Sequence, residues 1–594
     1  MKAKTIFIIL SVLGVSGIAL WFFSQKSDKH LKLIPKDALF VGTADWAGLA
    51  KKADFAKISE SEFYKKIETE TQDEEPELNR QFKEILNNPG STGINLFSEI
   101  YFYVTNLENV TYTGCAIAIK DVGRFEQMLM RIENNLHIQV GYNCHYTSVN
   151  SQVVMAWDEN SAFIAFADSY RLEDNWHRMF AEWSFGQLEE QTMKNHAIFK
   201  DMMDDGGDVR AFINGPAILQ SLKRELRGEA SLMTKNMAFL EDNYMMMGLN
   251  FEDDAIVWDM KVNSLNPEME KWTELGAEGL SDAHMSLISD KAISVGALSI
   301  HMDKFMAHLM QFPDAKKEVD KALQSMEMSL DEFTSAFSGE LSIAWNGFLP
   351  MPERPKELVF EELLQLSPEA YSEYQNRMWA SSRGPVPAYS ISFSSSNKDA
   401  LRKLMDKLVS KEEAIKENNG DYTVDLGRLY YRGFALRMVE NPIGFSLTND
   451  TTMAEKLRNG NAGGPSAPVK DFLKGKTFAS YYNLDIASYP DSMGKTFLNY
   501  AGWGEAGDDA MVIFKSASFY GGIEKSELRV DLRSGPDNSL HEVIMHIGNT
   551  YIASQKRMEE LRNQMEKEME LQEESWQEAD VEAVPPPVVE EWNP

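Results

Sequence analysis

Two short segments of the chain resemble the end of a phosphate-binding loop. Residues 475–477 and residues 494–496 both read Gly-Lys-Thr. A P-loop also needs a glycine five positions before its second glycine, because the backbone has to curl around the phosphate. Lys470 and Tyr489 occupy those positions, so neither segment is predicted to bind a nucleotide.

A third segment, residues 502–507, has the Gly-x-Gly-x-x-Gly spacing of a dinucleotide-binding turn. That turn requires a strand before it and a helix after it, whereas this segment precedes the strand-like run 511–514. The chain also has no Gly-x-Ser-x-Gly nucleophile elbow and no His-Glu-x-x-His zinc helix. We therefore predict no catalytic residue and no cofactor.

Potential metal ligands occur, but not in a ligating pattern. Asp201, Asp204, Asp205 and Asp208 surround two glycines, yet they lack the alternating spacing and the terminal glutamate of a calcium loop. The ten histidines are scattered along the chain. We interpret the aspartates as a solvated acidic turn and predict no metal site.

Cys115 and Cys144 are the only cysteines, and each lies in a strand-like stretch. In an oxidising compartment two such strands can be joined by a disulfide. Free cysteine, however, is also one of the residue types most often buried. The sequence leaves both alternatives open: a Cys115–Cys144 disulfide, or two independently buried thiols.

The overall charge excludes one class of partner. The chain has 594 residues, with 91 acidic against 59 basic side chains and a net charge of −32. Binding nucleic acid requires clustered Lys and Arg to neutralise phosphates, so no nucleic-acid partner is predicted. The 43% hydrophobic and 25% charged fractions are those of a globular protein, and the length suits a few domains.

The N-terminus contains a candidate membrane segment. Residues 5–23 form an apolar run that follows Lys2 and Lys4. In a helix with a rise of about 1.5 Å per residue, this run approaches the thickness of a bilayer core. A cleavable signal peptide has a shorter core, and residues 17–19 are only a passable cleavage site. We predict an uncleaved anchor with the bulk of the protein in the periplasm; the alternative is secretion after signal cleavage.

The region after this segment contains one α+β unit twice. Five stretches of residues 34–285 recur, in the same order, within residues 289–550. The clearest pair is a strand followed by a helix with apolar residues at i, i+3, i+4 and i+7. These residues are Phe125, Met128, Leu129 and Ile132 in the first copy and Leu401, Leu404, Met405 and Leu408 in the second. Antiparallel hairpins follow, so each unit is predicted to be a mainly antiparallel sheet with helices on one face.

The repeats predict the domain organisation. Residues 1–33 form the N-terminal anchor and linker, 34–288 the first α+β domain, 289–550 the second domain, and 551–594 a C-terminal extension. The second domain carries an insertion at residues 349–387, which is bounded by prolines and has a helix-like interior.

The C-terminal extension combines an acidic helix with a proline-rich end. Residues 585–587 are three consecutive prolines, which prevent a helix and favour polyproline II. The apolar residues of the extension are spaced mostly three or four apart, and we predict that they bind an envelope protein: Met558, Leu561, Met565, Met569, Trp576 and Trp592. A narrow apolar stripe can pair with another helix. The alternative is a helix folded back on its own domain.

The opening of the first unit resembles a known family. Residues 34–42 read Ile-Pro-Lys-Asp-Ala-Leu-Phe-Val-Gly, directly after the export segment. This opening, and the layout along residues 34–550, resemble an uncharacterised family of Bacteroidota envelope proteins, classed as a domain of unknown function and often lipoproteins. The chain departs from the lipoprotein pattern because its export segment contains no cysteine. The resemblance implies no activity and no functional residues.

The function predicted from the sequence is an envelope-anchored, non-enzymatic binding or scaffolding role. One alternative is a periplasmic carrier or chaperone for a lipid or an envelope protein, which an apolar pocket of several hundred cubic ångströms would favour. Another is a hydrolase whose site the sequence does not reveal. A carboxylate pair or a Ser–His contact in a cleft would favour it.

Overall fold

The fold is that of a computed structural model, which describes most of the chain between residues 29 and 581. The described residues are 29–66, 69, 89–95, 98–107, 110–132, 136–168, 173, 175–225, 240–265, 271, 273–349, 356, 358–363, 365–382, 386–411, 415–418, 421–425, 435–485, 489, 513–522, 524–533, 535 and 537–581. The predicted anchor, residues 5–23, lies outside these ranges. Within them, no helix has both the length and the apolar content that crossing a bilayer requires.

In the described part of the chain, twenty strands form one continuous sheet, and all their pairings are antiparallel. The strands are β1 Phe40–Ala44, β2 Ile100–Leu107, β3 Val110–Ala118, β4 Gln139–Val140, β5 His145–Asn150, β6 Val153–Trp157, β7 Ser161–Ala167, β8 Val209–Asn214, β9 Asn243–Phe251, β10 Ala255–Ser264, β11 Ser294–Ser299, β12 Glu340–Phe348, β13 Pro387–Ser394, β14 Ile415–Asn418, β15 Asp421–Asp425, β16 Ala435–Asn441, β17 Gly444–Thr448, β18 Phe478–Asn483, β19 Phe514–Gly521 and β20 Lys525–Leu532.

The first ten strands and the last ten pair in the same way. The first half of the sheet has the spatial order β4-β5-β6-β7-β3-β2-β1-β8-β9-β10. The second half has the order β14-β15-β16-β17-β13-β12-β11-β18-β19-β20, so each pairing recurs with both numbers raised by ten. The two halves join where β10 pairs with β20.

Sixteen α-helices are defined among the described residues. They are α1 Trp46–Ala53, α2 Phe55–Glu60, α3 Val122–Ile132, α4 Trp176–Gly186, α5 Ala197–Met203, α6 Gly215–Glu225, α7 Asp282–Met285, α8 Met302–Leu309, α9 Pro313–Met326, α10 Leu330–Ala336, α11 Phe360–Leu363, α12 Pro368–Ser382, α13 Lys398–Lys411, α14 Thr451–Arg458, α15 Ala467–Leu473 and α16 Ser539–Val581. The fold is therefore mixed α+β around a large antiparallel sheet, as the patterning predicted.

The predicted amphipathic helices are confirmed where their side chains are described. On α3, Phe125, Met128 and Leu129 are buried. On α13, Leu401 and Leu404 are buried in the same way, and both helices directly follow a central strand. Residues 349–387, the predicted insertion, include α11 and α12, so the helix-like composition of this segment is confirmed. The 3.6-residue period thus identified both the position and the buried face of these helices.

The prediction that helices cover one face of the sheet was wrong, because they pack on both. Ala116 belongs to a hydrophobic cluster that includes Phe180 of α4, whereas its neighbour Ile117 belongs to a second cluster that includes Phe125 of α3. Successive strand residues point to opposite faces, so these clusters lie on opposite sides. Strand β6 is buried at all five positions, the uninterrupted apolar run expected of a strand covered on both faces.

The second half of the sheet is covered in the same manner. Met438 packs in a cluster with α9, α10 and α13, and its neighbour Val439 packs in a cluster with α14. Helices α7 and α15 contribute Met285 and Leu473 to a further cluster that packs on β11 and β18. Each half is therefore three layers thick, with the strands in the middle.

The two cysteines are free, and they lie on opposite faces of the sheet. Cys144 packs in the cluster that contains α4, whereas Cys115 packs in the cluster that contains α3. Their sulfurs are separated by the sheet itself, which a disulfide cannot cross without backbone movement. Of the two alternatives, the structure has two independently buried thiols.

We expect both thiols to resist modification in the folded chain. Burial raises the pKa of Cys115 to about 12, and burial together with Glu182 and Asp158 raises that of Cys144 to about 11. The thiolate is the reactive form, so iodoacetamide at pH 8 should label neither cysteine in native full-length protein. Mass spectrometry should detect two added groups after denaturation without reductant. A chain that accepts label only after reduction would contradict this arrangement.

Candidate functional site

Helix α16 is anchored at its start to the first half of the sheet. The Asn538 side chain accepts a hydrogen bond from the Leu540 amide at 3.1 Å and donates one to the Phe251 carbonyl at 3.1 Å. The Ser539 amide donates to the Glu252 carbonyl at 3.0 Å. An Asn before the first turn satisfies amides that have no partner within the helix, so the sequence itself begins the helix here. The β9–β10 hairpin determines where it begins in space.

The first half of α16 docks on α1, α2 and the segment that follows them. His541 Nδ1 donates to the Ala53 carbonyl at 2.6 Å, and Ile552 is buried. Gly548 lies so close to the Phe63 ring that a Cβ atom would come within 2.4 Å of it. Glycine costs a helix interior about 1 kcal/mol relative to alanine, and here it permits the close approach. Residues 541, 548 and 552 share one face of the helix.

Two ion pairs mark the limits of the docked half. Lys57 Nζ lies 2.6 Å from Asp537 just before the helix, and Lys556 Nζ lies 2.9 Å from Glu62. Every residue from Lys556 through Met569 is exposed. The helix continues to Val581, about 37 Å beyond Lys556 at the usual rise per residue. The second half of α16 therefore projects from the body.

The projecting half carries an exposed apolar stripe, which we name the docking stripe: Met558, Leu561, Met565 and Met569. These side chains are exposed to 65%, 48%, 62% and 56%. Ile547, at the same helical spacing in the docked half, is exposed to 61%. At about 100° per residue, the stripe lies about 120° around the helix from the docked face. The apolar surface is thus separate from the surface that holds α16 to its own chain.

Four of the six predicted tail residues therefore lie together on one solvent-facing stripe. Trp576 is within α16, seven residues after Met569, and Trp592 lies outside the described residues, as does the proline run 585–587. The alternative of a helix folded back on its own domain describes only the docked half. Gly548 and the His541 contact could not be anticipated from periodicity, because both depend on α1 and its neighbours.

A buried polar cluster that sequence analysis missed ties the N-terminal turn to the first half of the sheet. His30 is fully buried, and its Nε2 donates to the Glu99 carbonyl at 2.7 Å. The Glu99 carboxylate accepts hydrogen bonds from Arg210, from Tyr101 at 2.9 Å and from Thr43 at 3.3 Å. Because Glu99 and Arg210 are almost completely buried together, the cluster holds β1, β2 and β8 in place rather than facing a cleft.

The second half contains a related cluster without the arginine. His284 is fully buried before β11, its Nε2 lies 2.9 Å from Ser342 Oγ, and its Nδ1 lies 3.4 Å from Glu340. Ala479 stands in β18 where Arg210 stands in β8. A signal for these sites was present, since His-x-x-Leu-Ile occurs at both 30–34 and 284–288.

The other motifs of possible chemical interest have structural roles or lie outside the described residues. Lys476 Nζ sits 4.0 Å and 4.1 Å from the ring centroids of Phe472 and Tyr520, an arrangement typical of cation–π packing. In the acidic turn, Lys261 pairs with Asp205 at 2.5 Å. Residues 494–496 and 502–507 are not described. No three His, Cys, Asp or Glu side chains of the described chain are grouped to hold a metal ion.

The outer face of α13 lines a shallow, open groove of about 470 Å³. Its lining is charged and includes Asp399, Arg402 and Lys403. Arg402 pairs with Glu440, and Lys403 Nζ lies 2.9 Å from Glu332. This groove does not have the apolar character that a lipid carrier requires.

The class of protein follows from these observations and from comparison with known sequences. It is a mixed α+β protein with a large antiparallel sheet, and nothing in its described residues supports an enzyme. A family profile matches residues 31–504, and the chain belongs to that family, DUF4836, a domain of unknown function. The predicted class of family is thereby confirmed; the Bacteroidota lineage and the opening motif stay predictions.

The other comparisons add little. No curated protein matches the chain. Two solved structures, crystal forms III and IV of a protein named TP0453, share 11% and 10% identity with it. They match 41% and 43% of this chain and 85% and 89% of their own, with TM-scores of 0.21 and 0.23.

We expect Glu340→Gln to destabilise the second half in a pH-dependent way. Burial raises the pKa of Glu340, but hydrogen bonds from His284 and Ser281 outweigh it and hold the pKa below its ordinary value of 4.5. The carboxylate therefore stabilises the fold above pH 4.5, and this contribution is lost as the pH falls through the lowered pKa. Urea titrations should show a loss of about 1–2 kcal/mol at pH 7 that shrinks below pH 4.5.

The control for this substitution is Glu318→Gln on α9, where the side chain is 71% exposed and its lysine neighbour is 4.0 Å away. Its effect on the free energy of unfolding should be within about 0.5 kcal/mol at every pH. An equal effect of the two substitutions would contradict the role assigned to Glu340.

We expect Gly548→Leu to release the docked half of α16. The new side chain meets the Phe63 ring, and overpacking of this kind costs about 1–3 kcal/mol. Hydrogen exchange of residues 541–556 should accelerate, while exchange in β10 and β20 stays unchanged. Gly186→Leu is the matched control, because a Cβ atom there meets nothing within 4 Å. Unchanged protection of α16 in Gly548→Leu would show that this contact does not hold the helix.

Proposed function

We propose that this protein is an envelope-anchored, non-enzymatic scaffolding protein that binds another envelope protein through the projecting half of α16. The observation that carries the proposal is the docking stripe, whose four side chains stand in solvent on a face that the chain's own body does not use. Contiguous apolar surface of this kind marks interaction sites in soluble proteins. A helix with apolar residues three and four apart suits a helical partner or a hydrophobic groove.

The energetics favour a partner that adds contacts of its own beside the stripe. Burying each of the four side chains contributes about 1–2 kcal/mol, or about 4–8 kcal/mol together, which matches only the lower part of the cost of association, about 4–15 kcal/mol. Because the helix is already formed and held by its docked half, little conformational entropy is lost on binding. The acidic character of the helix favours a protein partner over an anionic membrane surface.

The rest of the chain supports this arrangement. Residues 5–23 serve as the membrane anchor, with the body in the periplasm. Two similar α+β units, 34–288 and 289–550, form the body, and the recurrence of every strand pairing with its numbers raised by ten supports this duplication. Carrier and hydrolase functions remain alternatives, and no observation on the described residues favours either.

We expect a partner to be captured in intact cells through the docking stripe. A photo-cross-linking residue at Met565 of the full-length protein should yield a discrete adduct, whereas the same residue at Lys567, on the opposite side of the helix, should not. Leu561→Glu with Met569→Glu, one on each side of the cross-linking residue in the stripe, should abolish the adduct at position 565. The products are identified by mass spectrometry.

The matched control is Asn563→Glu with Lys567→Gln. It adds the same negative charge to the same helix, but away from the stripe, so cross-linking at Met565 should persist. An adduct at position 565 that persists in Leu561→Glu with Met569→Glu would refute the docking stripe as the binding surface. No adduct in any version would refute the scaffold function.

A further inference from the structure

We propose that the docking stripe binds the docking stripe of a second copy of this chain, as an antiparallel helix pair centred on Asn563. The inference rests on the proposed function, because it takes the projecting half of α16 as the docking element. It goes further by committing to one partner, one orientation and one register. Three properties of the helix support it.

The apolar residues are symmetric about Asn563. Met558 and Met569 lie at nearly equal distances before and after it, and so do Leu561 and Met565. When a second helix is turned end to end about this point, Leu561 faces Met565 of the second copy and Met558 faces Met569. Each apolar layer thus meets an apolar layer, to within about one residue of register. Methionine packs adaptably, so small departures from symmetry are tolerated.

The charges beside the stripe are complementary about the same point. Arg557 and Glu568 lie on one flank of the stripe, and Arg562 and Glu566 lie on the other, each within about 100° of its centre. In an antiparallel pair each flank meets the same flank of the other helix. Arg557 then faces Glu568 of the second copy, and Arg562 faces Glu566. All four side chains are exposed, and Arg562 is 72% exposed.

The opposite orientation is disfavoured by the same charges. In a parallel pair, a flanking residue meets the residue five positions later on the other flank of its partner. Arg557 would then face Arg562 of the second copy. Like charges at these positions select against a pairing, so the flanks of α16 specify the antiparallel one.

The docked half of α16 leaves room for the second helix. The stripe lies about 120° from the docked face, and Ile547 continues it toward the body with 61% exposure. In the proposed register, the end of the second helix reaches back along this face to about Ile547. The pair therefore covers an apolar side chain that the chain itself leaves in solvent.

The first test exchanges the flanking charges in purified full-length protein. Wild type should be dimeric by analytical ultracentrifugation. Arg557→Glu with Arg562→Glu makes both flanks acidic, and Glu566→Arg with Glu568→Arg makes both basic. Each variant alone should dimerise at least about tenfold more weakly than wild type, and an equimolar mixture should recover dimers. All changed positions are exposed, so circular dichroism should show unchanged folding.

The second test determines the register with cysteines. The native thiols are buried on opposite faces of the sheet, so they should not form disulfides in this test. A chain carrying both Met558→Cys and Met569→Cys should oxidise to a covalent dimer, because each cysteine faces the other type across the pair. Met558→Cys alone should stay uncrosslinked, since its two copies are about 16 Å apart, beyond the reach of a disulfide. A parallel pair would instead cross-link Met558→Cys alone, because each cysteine would then face its own copy.

The outcomes separate this inference from the proposed function. Monomeric wild type, or a covalent dimer of Met558→Cys alone, would overturn the antiparallel pair. If the wild type is monomeric but the cell cross-link at Met565 leads to another protein, the scaffold function stands with a different partner. If the wild type is monomeric and binds vesicles of zwitterionic lipid through the stripe, the stripe is a membrane contact and both proposals fail.

Discussion

The structure depends on the seam where β10 pairs with β20. These are the last strands of two halves with the same internal order, and their antiparallel pairing over Ala255–Lys261 makes one sheet of them. Arg529 reinforces the seam, with ion pairs to Glu252 at 2.6 Å, to Asp254 at 3.1 Å and to Asp531 at 2.7 Å. The pairing also removes two exposed edges, which would otherwise recruit other chains. Because α16 follows β20 and is tied to Glu252, the seam sets the origin and direction of the projecting helix.

The two halves of the sheet share a strand order, but they differ in the buried polar contacts that hold their strands together. In the first half a buried Glu99–Arg210 pair joins β2 to β8, and Ala479 removes that possibility from the second half. There, His284 binds Ser342 and Glu340 instead. Buried ion pairs of this kind hold strands in register. Catalysis, by contrast, requires groups that can reach a substrate. These two buried clusters therefore hold strands together, and the candidate function lies on a segment outside them.

The two halves of helix α16 have different roles: the first packs on the body, and the second carries the docking stripe. Helices of this composition are marginal alone, so the docked turns provide the packing from which the projecting turns continue. Beyond Lys556 the helix retains support along its own surface, including the spacing of Arg562 and Glu566 one turn apart. An exposed row of methionine and leucine is a liability for solubility unless something covers it. That row and its flanking charges are symmetric about Asn563. A second copy of the same helix can therefore cover the row without any other partner.

The sequence alone determined what depends on residues three or four apart. The periods of α3 and α13, the alternation of the hairpins and the stripe of α16 are local patterns, and each appeared at its predicted place. The tertiary structure decided the rest: that helices cover both faces, that Cys115 and Cys144 are separated by the sheet, and that α16 docks for half its length. Glu99 and Arg210 are 111 residues apart in the chain, and they meet only because β1 lies between β2 and β8. Such contacts depend on the order in which strands pair, and no local pattern of residues specifies that order.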